Sequence, residues 1–358
     1  MAEEKQKVKQ EIPVMRGTFA IRGIVTAFNK EEGFNKQTKT GKGMRKIVFD
    51  VSSNEGSSHR MQIQAFQSDK VYYSGRPEGS NPDDKPVIKE VLWADRLKFK
   101  DKGFAPIDRV SFGLQKVKNE ETGKDENKTE SMLTYDAIEK IFELLNVGDS
   151  IYIRGNIQVE EYSTQSGEKR NATRFVPNQI YLTQEPIDFN AENFKETAMF
   201  ELQAIAEEIE TIGSKEVAIT GLFIGNQRLG RQTLVFKEDP SQPEDFDIEK
   251  WMNVCNNFKR APKYLSATFF GNIVSSAVAE TSSSASEEVD EWGIPVKSQS
   301  PMRRTATGRT RQFICSGVVA GSPDTETYTE ENVDTFITQF INPKSEFGEV
   351  ASADDFAF

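Results

Sequence analysis

Residues 135–183 read YDAIEKIFELLNVGDSIYIRGNIQVEEYSTQSGEKRNATRFVPNQIYLT, a helix that feeds two hairpin arms. Ile138, Ile141, Phe142 and Leu145 recur at helical spacing, and Asn146, Gly148 and Asp149 supply the turn that ends the helix. A strand follows, in which Ile151, Ile153 and Ile157 alternate with polar partners and Tyr152. Ser166-Gly167 then closes a hairpin that returns through Ala172 to Leu182. This helix and strand pair have the sequence shape of the second half of an OB barrel.

Working outward, the N-terminal side supplies the first half. Strand-like segments run from Gly17 to Asn29 and from Lys46 to Phe66, where RKIVFDVSS and RMQIQAF show partial period-two alternation. Between them NKEEGFNKQTKTGKGMRK, rich in lysine and glycine, reads as a long exposed hairpin. Residues 70–130 are an elaboration placed ahead of the helix. On the C-terminal side the order repeats: MFELQAIAEEIE, EVAITGLFIG and RQTLVFKED as strands, FDIEKWMNVCNNF as a helix, then YLSATFFGNIVSS and RQFICSGVVAGS as strands. VDTFITQFI reads as a short amphipathic helix.

The expected fold class is therefore mainly β, with two tandem OB-type barrels, an elaborated first domain, a short C-terminal helix and a flexible C-terminal tail. The expected organisation is a flexible arm over 1–15, a first, nucleic-acid-binding domain over 16–190, a second domain over 191–342 with a mobile Ser/Glu-rich loop at 279–308, and an acidic tail over 343–358.

The sequence of 358 residues carries a net charge of −11, unevenly distributed. Residues 1–185 hold 30 Lys+Arg against 28 Asp+Glu, whereas 186–358 hold 15 against 28. The local field at a groove, and not the total, governs electrostatic binding, so the first half can hold a nucleic-acid channel. The charged N-terminus MAEEKQKVKQEIP does not resemble a signal peptide, and no apolar run reaches a membrane span, which predicts a cytoplasmic protein with no membrane partner. Cys255 and Cys315 lack CxxC or CxH context and read as buried small apolar residues.

Single strands are held by cations that follow the phosphates and by rings that stack on bases. The hairpin offers Phe34, Lys36, Lys39, Lys42, Arg45 and Lys46, and the elaboration offers Tyr72, Tyr73, Trp93, Arg96, Lys98 and Phe99. The last arm adds Tyr152, Arg154, Tyr162, Lys169, Arg170 and Arg174. Trp93 and Tyr152 read equally as core residues and as base contacts, whereas Phe34 sits in a stretch too polar for core. The run Arg303, Arg304, Arg309 and Arg311 reads equally as phosphate ligands and as a counterweight to Glu287, Glu288, Asp290 and Glu291.

The helix, the Gly-Asp turn, the Tyr-containing strand ending in Arg-Gly, the basic hairpin tip and the closing strand together resemble the bacterial and phage single-stranded DNA-binding proteins. The terminal DDFAF resembles that family's tail, although it lacks the usual proline. The resemblance implies a phage or bacterial protein that coats single-stranded DNA without strong sequence preference in replication, recombination or repair. It also implies that Asp354, Asp355, Phe356 and Phe358 recruit replication or recombination proteins. No cofactor or metal is expected: His59 is the only histidine, so no triad or His-ligated metal site can be built, and no GxxxxGK[ST] loop occurs, which leaves a carboxylate-only metal nuclease, drawing on pairs such as Asp83-Asp84 and Glu207-Glu208, as the weaker class. The competing non-enzyme reading is a virion, scaffold or interaction protein whose β domains bind protein, since OB barrels serve both tasks.

Overall fold

GTFAIRGIVTAF alternates apolar and polar residues, and Gly17–Phe28 accordingly forms strand β1, with Phe19, Ile21 and Val25 buried. The computed structural model describes residues 12–38, 41–81, 83–118, 120, 123–164, 167–212, 216–238, 247–261, 263–277 and 309–341. The loop 279–308, the tail 343–358, Lys39, Arg303, Arg304, Asp354, Asp355, Phe356 and Phe358 lie outside these residues.

β2 (Asn35–Gln37), β3 (Gly43–Ser52) and β4 (Ser58–Phe66) complete the first half of a barrel. The elaboration contributes β5 (Lys70–Gly75), β6 (Val87–Leu92), β7 (Phe104–Pro106), β8 (Arg109–Gly113), β9 (Lys116–Lys118), β10 (Asp125–Asn127) and β11 (Glu130–Leu133). Helix α1 (Thr134–Leu144) follows, burying Ala137, Ile138 and Ile141. It ends at a turn in which Gly148 adopts φ 94°, a left-handed conformation that glycine takes without strain. The arms are β12 (Ser150–Ser163) and β13 (Lys169–Leu182).

The pairings run β1 to β3 to β4, then parallel from β4 to β13 at Met61 and Phe175, then β13 to β12 and back to β1. This is the OB order. The second unit repeats it with β14 (Thr197–Ile212), β15 (Glu216–Gly225), β16 (Arg228–Phe236), α2 (Ile248–Arg260), β17 (Ser266–Ala277) and β18 (Arg309–Val318). β14 pairs β15, β15 pairs β16, and β16 pairs β18 in parallel. β18 then pairs β17, which returns to β14. Helix α3 (Glu330–Phe336), capped by the Thr329 hydroxyl, which accepts from the Asn332 amide, runs into a helical turn at Ile337–Ile341 that ends the described chain.

The two units share one sheet because β1 pairs β14 antiparallel, with Phe19 opposite Phe200. They also share one core, in which Phe313 of β18 lies 6.3 Å from Phe175 and 4.9 Å from Phe200.

Two expectations need correction. Residues 12–15, assigned to the flexible arm, are packed: Ile12 and Met15 are buried, the Met15 amide donates to the Ile224 carbonyl at 2.8 Å, and the Tyr328 hydroxyl donates to the Pro13 carbonyl at 3.2 Å. His59 is not in a polar turn but on β4 with its ring fully buried, between the hydroxyls of Ser53 at 2.9 Å and Ser57 at 3.2 Å. Cys255 and Cys315 are free thiols buried in the second unit, as their sequence context led us to expect; burial first, then Cys255, pushes the Cys315 thiol well up.

Candidate nucleic-acid interface

The expected basic and aromatic residues do not converge on one groove. Phe34 packs against α1, its ring 4.9 Å from that of Phe142. Arg45 lies 5.4 Å from the Phe34 ring and 4.3 Å from the Tyr135 ring, donates to the Tyr135 carbonyl at 2.9 Å and pairs with Glu139 at 3.2 Å. Arg96 stacks on Trp93 at 4.2 Å and holds both oxygens of Asp136, while Trp93 meets Tyr135 edge-on at 5.0 Å. Phe34, Arg45, Tyr135, Trp93 and Arg96 thus form a ladder, with its charges met internally, that fastens the hairpin and the elaboration to α1. Tyr73 is buried, 4.5 Å from Phe99, with its hydroxyl on the Arg96 carbonyl; burial raises its pKa. Lys36 pairs with Glu32 and Lys98 with Asp95, both on the surface, and Lys42 and Tyr72 are exposed.

The arm formed by β12 and β13 leans on the second barrel. Lys169 pairs with Glu161 at 2.8 Å, Arg170 with Glu168 at 2.8 Å and Arg174 with Glu160 at 2.5 Å. Arg228 of β16 shares the Glu160 carboxylate, and Arg231 reaches Glu161 and Glu207. A Cβ at Gly230 would lie 2.6 Å from the Glu160 amide nitrogen, so the strands touch there through backbone. Arg311 is withdrawn from solvent as well. It stacks 4.3 Å from the Phe175 ring, donates to the Thr173 carbonyl and, through burial first and then Arg60, has its pKa lowered to about 10.

What remains open is the outer face of the first barrel. On β4 the inward residues are Met61, Ile63 and Ala65, so Arg60, Gln62, Gln64 and Phe66 point outward. Lys46 of β3 stands opposite Gln64, and Met44 opposite Phe66. This face enters a cleft of about 810 Å³, lined by Arg16, Thr18, Gln62, Gln64, Phe66, Asn156, Gln158, Glu160, Arg174, Val176, Asn226 and Arg228 among others. Three arginines face one carboxylate there. Arg16 is exposed and, like Lys46 and Arg154, has no ion pair among the described residues. The Lys46 ammonium has its pKa lowered, first by partial burial and then by Lys36 and Arg174, against a smaller opposing effect of Glu32, as expected where cations gather. Phe66 is 50% exposed, an uncommon state for a phenylalanine on a strand. Tyr152 and Arg154 lie further along the same outer surface. Tyr152 is opposite Tyr181 and Arg22, and Arg154 is opposite Ala20 and Gln179. Tyr162 is exposed near the arm tip.

Of the expected set the cleft therefore holds Arg174, with Lys46 beside it opposite Gln64, and it adds Arg16, Gln62, Gln64, Phe66 and Arg228, which the sequence reading did not select. For β4 the signal was present: once Met61 and Ile63 are placed inward, RMQIQAF displays Arg60, Gln62, Gln64 and Phe66 on one side. Arg16 and Arg228 carried no such signal, since only the approach of the second barrel brings them together. Among the described residues no group of three or more His, Cys, Asp or Glu side chains could hold a metal ion, and no helix is long and apolar enough to cross a membrane.

A protein-family model described as YorF matches residues 81–348. No curated protein matches the chain. Among solved structures, the chain is similar to the wild-type single-stranded DNA binding protein from Thermus aquaticus at 9% identity and a TM-score of 0.33, covering 74% of this chain and 87% of that one. A deletion mutant of the Thermus aquaticus protein gives 10% identity and a TM-score of 0.32, covering 73% and 86%. Likenesses of that size carry no weight for function.

Proposed function

The chain belongs to the YorF family, and we propose that it binds single-stranded DNA along the outer face of its first barrel and through the cleft beneath the second. The observation that carries the reading is the cleft itself: Arg16, Arg174 and Arg228 around the single carboxylate of Glu160, with Lys46 at the rim and a half-exposed Phe66 on β4. Strands two and three of an OB barrel are the usual oligonucleotide face, and here they are β3 and β4. The cations neutralise phosphates, and Phe66 offers a ring for one base, worth about 1–3 kcal/mol. Coating of single strands in replication, recombination or repair, in a phage or its bacterial host, is the setting proposed for this activity, with the tail at Asp354, Asp355, Phe356 and Phe358 as the recruiting segment.

The test is a fluorescence-anisotropy titration with labelled mixed-sequence single strands, the matching duplex and RNA at low and moderate salt. Salt-sensitive binding to single-stranded DNA in preference to duplex is expected. A second reading, a protein-interaction module, rests on the sheet of β6, β5 and β7, which exposes Tyr72, Ile88, Leu92 and nearby Ile107. Absence of binding to every nucleic acid, at any salt, would make that reading the stronger.

A further inference from the structure

Six of the exposed large apolar side chains fall within residues 70–107: Tyr72, Val87, Ile88, Leu92, Leu97 and Ile107. Tyr72, Ile88, Leu92 and Ile107 share one face of the sheet β6-β5-β7, and β6 is an edge of that sheet, with β5 as its one neighbour among the described residues. The direction of each backbone group on β6 follows from two hydrogen bonds. The Trp93 amide donates to the Asp69 carbonyl at 3.0 Å, so the alternate residues Val91, Lys89 and Val87 are those that bond β5. The Ile107 amide donates to the Tyr72 carbonyl at 2.9 Å, which turns Tyr72 toward β7 and away from Glu90 opposite it. The N–H and C=O groups of Ile88, Glu90 and Leu92 therefore point outward from the edge, and no described residue bonds them. The usual guards of an edge are missing there. Pro86 precedes the strand, and the pairing with β5 runs from Lys70 opposite Leu92 to Gly75 opposite Val87 without a bulge. Lys89 turns its ammonium back onto Asp101 at 2.5 Å and over the Phe104 ring at 4.1 Å.

We propose that this edge pairs with the same edge of a second copy of the chain. Such pairing sets outward groups against outward groups, and the antiparallel register centred on Glu90 satisfies all three residues at once. Ile88 then faces the partner's Leu92, Glu90 the partner's Glu90, and Leu92 the partner's Ile88, each pair exchanging two hydrogen bonds. A shift of two residues sets Leu92 against Pro86, which has no amide, or Ile88 against Ala94, which has left the strand. The register centred on Glu90 also matches side chains, since the exposed Ile88 and Leu92 meet each other across the seam. The chain carries a net charge of −11, but this face adds nothing to the repulsion between copies: Lys70 holds the Glu90 carboxylate at 2.5 Å. A locally neutral, apolar edge whose own register is self-complementary fits its copy, as an isologous contact requires. No residue of β6 lines the cleft, so the inference stands apart from the proposed binding of single strands.

Sedimentation velocity of the full chain across the micromolar range, without nucleic acid, tests the pairing, and a concentration-dependent dimer is expected. Two variants then test the register: one carries Ile88→Lys with Leu92→Lys, the other Ile88→Glu with Leu92→Glu. Both positions are exposed in the single chain, at 63% and 59%, where a charge costs the fold little, and circular dichroism checks that it does. Within each variant like charges stand opposite each other, so the dimer dissociation constant should rise at least about tenfold. An equimolar mixture of the two sets lysine against glutamate and should dimerise again. An unaltered chain that stays monomeric throughout the range overturns the inference, and so does a dimer that survives in both variants. Folded monomeric variants whose mixture stays monomeric overturn the register centred on Glu90 and, with it, the proposed pairing.

Discussion

The second and third strands of the two barrels have opposite fates. In the first barrel, β4 keeps its alternation, with buried Met61 and Ile63 between outward Gln62 and Gln64. In the second, β15 is buried almost along its whole length, on both sides. Ile224 exchanges contacts with Met15, the helical turn Ile337–Ile341 packs against β16, and the arm of β12 and β13 lies against β16 through Glu160 and Gly230. One topology thus yields an open outer face and a covered one. The difference lies in the additions: residues 12–15, the turn Ile337–Ile341 and one long arm cover the second barrel, whereas β4 of the first stays open. Buried on both faces, β15 reads as a nearly continuous apolar run, EVAITGLFIG.

Five perturbations break or sharpen this contrast. Reversing charge at the open face, with Arg16→Glu and Lys46→Glu together, should lower single-strand affinity by about tenfold or more at ~0.1 M salt and flatten its salt dependence. Thr233→Glu, at an exposed position on β16, should leave affinity unchanged; an equal loss from it would mean that both barrels bind. Next comes the seam between the barrels. Gly230→Ala drives a Cβ into the backbone of Val159 and Glu160, and overpacking of that kind costs about 1–3 kcal/mol, to be read from the denaturant midpoint. Phe66→Ala should cost about 1–3 kcal/mol of affinity for every base-bearing strand and almost nothing for an abasic one. The smallest effect is expected from Tyr328→Phe, which removes the hydrogen bond to Pro13 and should cost about 1 kcal/mol of stability.

The same tyrosine makes a pH prediction. Burial first, then Asp324, pushes the Tyr328 hydroxyl up to about 12. The unfolded chain ionises first, near the ordinary value of about 10, so it binds fewer protons than the folded chain between these limits. Stability should therefore fall as pH rises from 10 to 12, and thermal melts across that range should show a smaller fall for Tyr328→Phe.

Much of the fold was legible because it is written in local periods. Ile138, Ile141 and Leu145 mark α1, alternating isoleucines mark β12, and FDIEKWMNVCNNF marks α2, which Asp247 caps by accepting from the Glu249 and Lys250 amides. The site was legible only in part. Counting cations finds Arg45, Arg96 and Arg174, but not that Asp136 holds Arg96 or that Glu160 binds both Arg174 and Arg228, a partner 68 residues away from that carboxylate. Phe34 looked available because its neighbours in sequence are polar, whereas its neighbour in space is Phe142. His59 misled for the converse reason: SNEGSSHR is polar in sequence, yet β4 turns the ring inward onto the serines beside it.

The central claim is that a single strand lies on the first barrel and not on the second. Amide hydrogen exchange of the full chain, with and without a saturating mixed-sequence oligonucleotide, tests it directly. The account predicts slowed exchange over β4 and residues 154–158 of β12, with β15 and the second half of β16 unchanged. Protection confined to β15 and β16, or none on β4 under conditions where anisotropy shows the strand bound, would contradict it.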